Sequence, residues 1–178
     1  MEQVARHKMG LEELPRVQAI WEHPVFQHEY RRLERLERDR VFCRHGMRHL
    51  LDTARIMWAR NLELGCGIDR EVVYAAALLH DVGKAGQYEG GEPHEVGGAR
   101  IAARVLDSLP DDLAFAPADR EAILAAIRGH RRLREGAGML ERLLFQADKA
   151  SRACFACPAG VRDACSWPDE KKNLDIRV

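Results

Sequence analysis

Net charge is the first thing this sequence lacks. Lys and Arg together number 28, and so do Asp and Glu, for a formal charge of +0 at pH 7. A balanced chain has no field that would draw in a polyanion, so neither nucleic acid nor an anionic membrane is expected as a partner. Long apolar runs are also missing, and nothing approaches the ~20 residues that a membrane-spanning helix requires. Met1 to Leu14 contains no apolar core of the kind a secretory leader carries, and the expected location is the cytoplasm. The five cysteines are an odd number, three of them close together near the C-terminus. Without an export signal, this favours reduced thiols or a metal over a disulfide framework. Strand signals are scarce, with little alternation of period two and few β-branched clusters. Internal repeats and low-complexity tracts are absent.

What the chain does have is helical spacing. With 178 residues, 46% hydrophobic and 31% charged, it is long enough for one domain with a sizeable core. Apolar residues recur at intervals of three and four, and the expected fold is all-α. The first helix is expected over Glu12 to Glu22. Pro24 suits the first turn of a second helix running to about Asp39. In its charged part, Tyr30 to Arg40, Leu33 and Leu36 are expected to face inward and the charges to be a solvated face. Met47 to Leu62 forms a third helix, with Met47, Leu50, Leu51, Ala54, Met57 and Trp58 on one side. Asp69 is a plausible N-cap for the next. Later helices are expected after Pro93, with Val96, Ala99, Ala103 and Leu106 buried, then over Asp119 to Gly129 and over Met139 to Ala150. The basic segment Arg131 to Gly138 reads as a mobile lid. The expected partition is 1–40 for N-terminal helices packed on the core, 41–152 for the main domain, and 153–178 for a cysteine-containing tail.

The most informative stretch is Ala75-Ala76-Ala77-Leu78-Leu79-His80-Asp81-Val82-Gly83-Lys84. Nothing from Val72 to Leu79 is charged, so a helix here is buried on every side. Gly83 is expected to end it in the left-handed geometry. His80 and Asp81 then sit in the last turn, away from bulk water. A buried carboxylate needs a partner, and a metal beside an imidazole supplies one. Other segments also aim ligand types inward. His49 lies one turn after His45, the i,i+4 spacing by which two imidazoles reach one metal. His94 opens a helix. His130 extends the stripe of Ile123 and Ile127, and Asp148 that of Leu140 and Leu144. Several unsatisfied polar groups in one helical core make a strong case for a metal.

The motifs Cys43-Arg44-His45-Gly46-Met47-Arg48-His49, Leu78-Leu79-His80-Asp81-Val82-Gly83-Lys84, Glu92-Pro93-His94-Glu95, Ile127-Arg128-Gly129-His130 and Ala147-Asp148-Lys149, in this order, resemble the HD superfamily of metal-dependent phosphohydrolases. The resemblance covers about Phe42 to Arg152. It implies a helical bundle around a metal site. His49, His80, Asp81 and Asp148 would hold the first metal, with Asp81 bridging to a second held by His94 and His130. Where two-metal members often carry one more histidine beside the position of His130, this chain has Arg131. Lys84 matches the basic residue that follows the His-Asp pair in many members. Asp81 and Lys84 are thus the candidate catalytic residues, and Lys84, Arg131 and Arg132 the candidate phosphate-binding ones. Mixed nitrogen and oxygen ligands suit one or two divalent ions among Fe, Mn, Ni, Co and Zn. Such an ion would generate hydroxide near neutral pH to attack a phosphorus atom. The implied substrate is a small phosphorylated molecule, most simply a nucleotide. A di-iron oxygenase and a non-catalytic nucleotide sensor stay open as other readings, and a homodimer is compatible with either.

Cys154, Cys157 and Cys165 form a second constellation. A structural zinc site takes four ligands. Cys43, just ahead of the His49 helix, is the candidate fourth, for zinc or an iron–sulfur cluster. The alternative is a set of reduced cysteines packed beside Phe155 and Trp167.

Overall fold

The computed structural model describes residues 13–176. Most of the stretch Met1 to Leu14, and Glu12 at the start of the expected first helix, lie outside that range. Among the described residues there are helices and turns and no strand, as the spacing predicts.

Helix α1 spans Pro15–Glu22 and α2 Pro24–Leu36. Both begin with proline, whose missing N–H and fixed φ suit the first helical turn. Between them His23 caps α2, its Nδ1 accepting from Val25 N at 3.2 Å. Trp21, Phe26 and Tyr30 then pack into an aromatic group, and the Tyr30 hydroxyl accepts from Met47 N at 3.1 Å. That bond docks the start of α3, Met47–Glu63, on which His49 lies.

Helix α4, Arg70–Leu79, is the axis of the molecule. Asp69 caps it, its Oδ1 accepting from Glu71 N and Val72 N. Val72, Val73, Ala75, Ala76, Ala77, Leu78 and Leu79 are all buried. Helices packed on it include α1, α3, α6 (His94–Asp107), α7 (Pro117–Gly129) and α8 (Met139–Ala150). The small side chains of Ala75 to Ala77 let these neighbours close in from several sides. A short α5, Lys84–Tyr88, follows the His-Asp turn and packs on α2 and α6. After α8 comes a 3₁₀ turn, Cys154–Ala156, a five-residue helix α9, Ala159–Asp163, and another 3₁₀ turn, Asp169–Lys171. No helix among the described residues is long and apolar enough to cross a membrane.

Three expectations need correction. Gly83 is not left-handed; its φ is −84°. Its glycine identity answers to space instead, because a Cβ there would fall 2.4 Å from Gly98 N and 2.5 Å from His94 O, backbone atoms of α6 that cannot swing away. Val96 is exposed, and the inward face of α6 is His94, Gly98, Ala99, Ala102, Val105 and Leu106. In the charge run, Leu36 is exposed while Glu37 is only 3% exposed. The buried stripe there is Leu33 and Glu37, one turn apart.

Candidate metal centre

Five elements deliver the polar core. His49 comes from the first turn of α3, His80 and Asp81 from the turn that ends α4, and His94 from the first residue of α6. His130 ends α7, and Asp148 lies in the last turn of α8. All six are buried. Their donor atoms fall into two groups, His49/His80/Asp148 and Asp81/His94/His130, each with its ligand atoms within 4.8 Å of one another.

Asp81 stands between the groups. Its Oδ2 lies 3.1 Å from His80 Nε2 and 3.3 Å from His49 Nε2. Its Oδ1 lies 3.3 Å from His94 Nε2 and 4.0 Å from His130 Nε2. Asp148 Oδ1 closes the first group, 3.4 Å from His49 Nε2 and 3.8 Å from His80 Nε2.

The outer hydrogen bonds decide what the inner atoms can do. His80 Nδ1 donates to Ala77 O and His130 Nδ1 to Ile127 O, each at 2.7 Å. His94 Nδ1 donates to Gln87 Oε1 at 2.5 Å. The Ser151 hydroxyl gives its proton to Asp148 O at 2.7 Å, so it accepts from His49 Nδ1 at 2.9 Å. Every Nδ1 therefore carries a proton, and in a neutral ring every Nε2 presents a lone pair. The Nε2 atoms face one another, with His49 Nε2 3.1 Å from His80 Nε2 and His94 Nε2 3.0 Å from His130 Nε2. Asp81 Oδ2, buried among them, has no hydrogen-bond partner. Acceptors turned toward acceptors in a dry pocket require positive charge between them, supplied here by a proton on His80 and the Arg152 guanidinium or, in their place, by a metal ion. The residues present fit a metal ion in each group.

The electrostatics of the pocket carry the same demand for positive charge. Burial pulls His49 down to about 4 and His94 to about 2, so both rings are neutral. His80 goes the other way. Burial opposes its charge, but Asp81 and Asp148 outweigh it and hold the ring protonated, with a pKa raised to about 10. Burial also opposes the charge on the two carboxylates, and His80 above all overcomes this and keeps both well below the usual carboxylate range.

The cations are arranged unevenly. Lys84 is half-buried, and its ammonium lies 5.4 Å above the Tyr88 ring. Burial lowers its pKa, with Asp81 opposing. Arg131 is exposed and pairs with Glu95 at 3.1 Å. The charges of both Lys84 and Arg131 bear on His94, so they flank the second group. Arg132 is exposed, and no hydrogen bond or ion pair of its side chain is found among the described residues. His45 lies outside both donor groups. Its Nδ1 is held 2.5 Å from Glu37 Oε1, and its ring packs edge-on against His49 at 5.9 Å. The segment from Arg131 to Gly138 is tied down at Arg134, which donates to the buried Glu141 at 2.6 and 3.0 Å.

Sequence reasoning passed over Glu37, Gln87, Tyr88, Lys149, Ser151 and Arg152. Lys149 Nζ donates to His130 O and Phe145 O and lies 3.6 Å from Asp148 Oδ2. Arg152, buried, donates from Nη2 to His49 Nε2 at 3.0 Å and from Nη1 to Arg44 O at 3.0 Å. Spacing offered one usable sign: Asp148, Ser151 and Arg152 stand at i, i+3 and i+4, the face that already pointed at the metal.

The HD domain model matches residues 46–158. An uncharacterized protein of Clostridium beijerinckii is 39% identical over 146 residues, 82% of this chain and 88% of that protein. Bifunctional uridylyltransferase/uridylyl-removing enzymes of Ruegeria pomeroyi and Cereibacter sphaeroides are 32% and 31% identical over 113 and 110 residues. These stretches are 64% and 62% of this chain but 10% of each enzyme, so the chain spans about a tenth of their length. No solved structure matches.

Proposed function

Because the chain belongs to the HD-domain family, we propose that it is a metal-dependent phosphohydrolase acting on a small phosphorylated molecule, a nucleotide above all. The observation that carries this reading is Asp81, whose two oxygens each face a separate histidine-containing donor group. His49, His80 and Asp148 would hold one ion and His94 and His130 a second, with Asp81 shared. When bound, such ions supply Lewis acidity toward phosphoryl oxygens and a water activated near neutral pH.

The remaining work falls to the chain's own side chains. Ser151, Gln87 and the carbonyls of Ala77 and Ile127 fix each imidazole in the tautomer that turns Nε2 inward. Lys84 has no ion-pair partner among the described residues and is the group best placed to take a phosphoryl oxygen. Arg131 can join it by giving up its exposed pairing to Glu95, a contact worth about 1 kcal/mol or less. Arg132 stands next to it on the same loop as a further phosphate-binding candidate. A nucleotide substrate fits the uridylyl-removing relatives, whose name denotes removal of a uridylyl group.

The test is phosphate release from a panel of nucleotides and simple phosphate esters by protein supplied with Mn, Mg, Fe, Co, Ni or Zn. Asp81→Ala is expected to lose activity by at least about 100-fold while keeping its helical content. Nucleotide binding without product under every metal, or consumption of dioxygen by the iron form, would overturn the proposal in favour of a sensor or an oxygenase.

A further inference from the structure

The segment from Ala153 to Ile176 is ordered into turns without a core to order it. Of its 24 residues, only Cys154 and Asn173 are buried. Phe155, Leu174 and Ile176 stay exposed. Its longest helix has five residues. Backbone bonds such as Phe155 N to Asn173 O, and the Asn173 side chain donating to Ala150 O, hold its two ends together. These are few for a chain that buries so little apolar surface, and short segments of this kind take their order from a metal or a covalent cross-link.

The four cysteines outside the α3–α4 loop lie on this tail and on the segment that Arg152 ties to it. Cys154 and Cys157 flank the 3₁₀ turn, with Cys157 N donating to Cys154 O. Cys165 follows α9 and is half-buried. Cys43 arrives from the other end of the chain. Its neighbour Arg44 accepts from Arg152 through its carbonyl, and Cys154 N donates to Arg152 O. Arg152 thus pins the Cys43 segment against the start of the cysteine tail. Burial pushes the Cys157 thiol up, and the charges of Cys43, Cys154 and Cys165 each add to that rise. Arg162 and Lys172 supply positive charge to the same cluster.

We propose that Cys43, Cys154, Cys157 and Cys165 bind one structural zinc ion as four thiolates, and that this ion orders residues 153–176 against the end of α8. A C-x₂-C turn with two further cysteines is a ligand set for a closed tetrahedral zinc site. The sulfurs stand further apart than the His/Asp donors, and zinc would draw them to about 3.8 Å from one another, as a tetrahedron with Zn–S bonds of about 2.3 Å requires. Each thiol gives up its proton on binding, and Arg162 and Lys172 offset part of the resulting negative charge. The ion is separate from the His/Asp centre. It reaches that centre only through Arg152.

The experiment is elemental analysis with thiol counting on the full chain, purified under reducing conditions. Asp81→Ala is expected to retain one zinc per chain, whereas Cys157→Ser and Cys43→Ser lose it and Cys66→Ser does not. Native protein should expose one fast-reacting thiol, Cys66, and release zinc as the other four react. Thiol counting on the zinc-loaded wild type does not depend on any variant folding. Five equally reactive thiols in the zinc-containing wild type would overturn the proposal. So would zinc content unchanged in both cysteine variants, or iron with acid-labile sulfide in place of zinc.

Discussion

Replacing Glu37 with Gln is the sharpest test of how the polar core is supported. Glu37 sits in a run that reads as surface, yet its carboxylate is buried and accepts from His45 N at 2.7 Å, from the His45 ring at 2.5 Å and from the Tyr88 hydroxyl at 2.7 Å. Burial works against its charge, but the bonds from His45 above all bring the pKa down from 4.5 to about 2. A depression of roughly 2.5 pK units corresponds to about 3 kcal/mol of stability for the ionised form. The sign is fixed by the direction of the shift. The stabilisation is fully present above 4.5 and is lost as pH falls toward 2, with about 1.4 kcal/mol gone by pH 3.5. Urea denaturation of wild type and Glu37→Gln, both stripped of metal, should therefore differ by about 2–3 kcal/mol at pH 7. The gap should narrow as pH falls from about 4.5 to 3.5. At two to four degrees per kcal/mol, the melting temperature should drop by roughly 5–10 °C. A difference below about 0.5 kcal/mol at pH 7, or a gap that widens in acid, would refute the account of Glu37 as the anchor of the His45 turn.

Other perturbations probe the centre more directly. Ser151→Ala removes the group that fixes His49 and should weaken metal affinity about 10–100-fold, with activity recovered by excess metal; unchanged affinity in a metal titration would count against that tautomer assignment. Because His80 is protonated up to about 10, metal binding at pH 7.5 should expel close to one proton from it, read by calorimetry of Mn added to protein with an empty His/Asp centre, in two buffers of different ionisation enthalpy. Binding heats that do not depend on the buffer would contradict this. Gly83→Ala should cost about 3 kcal/mol or prevent soluble expression, since both colliding atoms belong to the α6 backbone; a stable variant would show that α6 can slide.

Much of this was legible in the chain. The uncharged stretch from Val72 to Leu79 marks the central helix, and His49, His80, His94, His130 and Asp148 each sit where helical spacing turns them inward. Their pairing into two groups came only from the resemblance to the HD superfamily and not from spacing, because it depends on how the helices cross rather than on any one helix. Glu37 was misread because a single buried carboxylate inside a run of Arg and Glu leaves no trace in composition; only its partners, eight and 51 residues away, reveal it. Gly83 was read as a turn former when it is a contact point, since sequence shows a missing side chain but not which neighbour needs the space.

The separation of the donors along the chain also sets a schedule for assembly. His49 and its orienting hydroxyl, Ser151, are 102 residues apart, and the chain between them supplies every other ligand. During synthesis α3 and α4 emerge long before α8, so a growing chain can hold at most part of the ligand set and none of its last carboxylate. The cell's metal supply therefore meets a finished pocket only after translation has passed Arg152, which makes loading a late event and leaves prematurely terminated chains without the full ligand set.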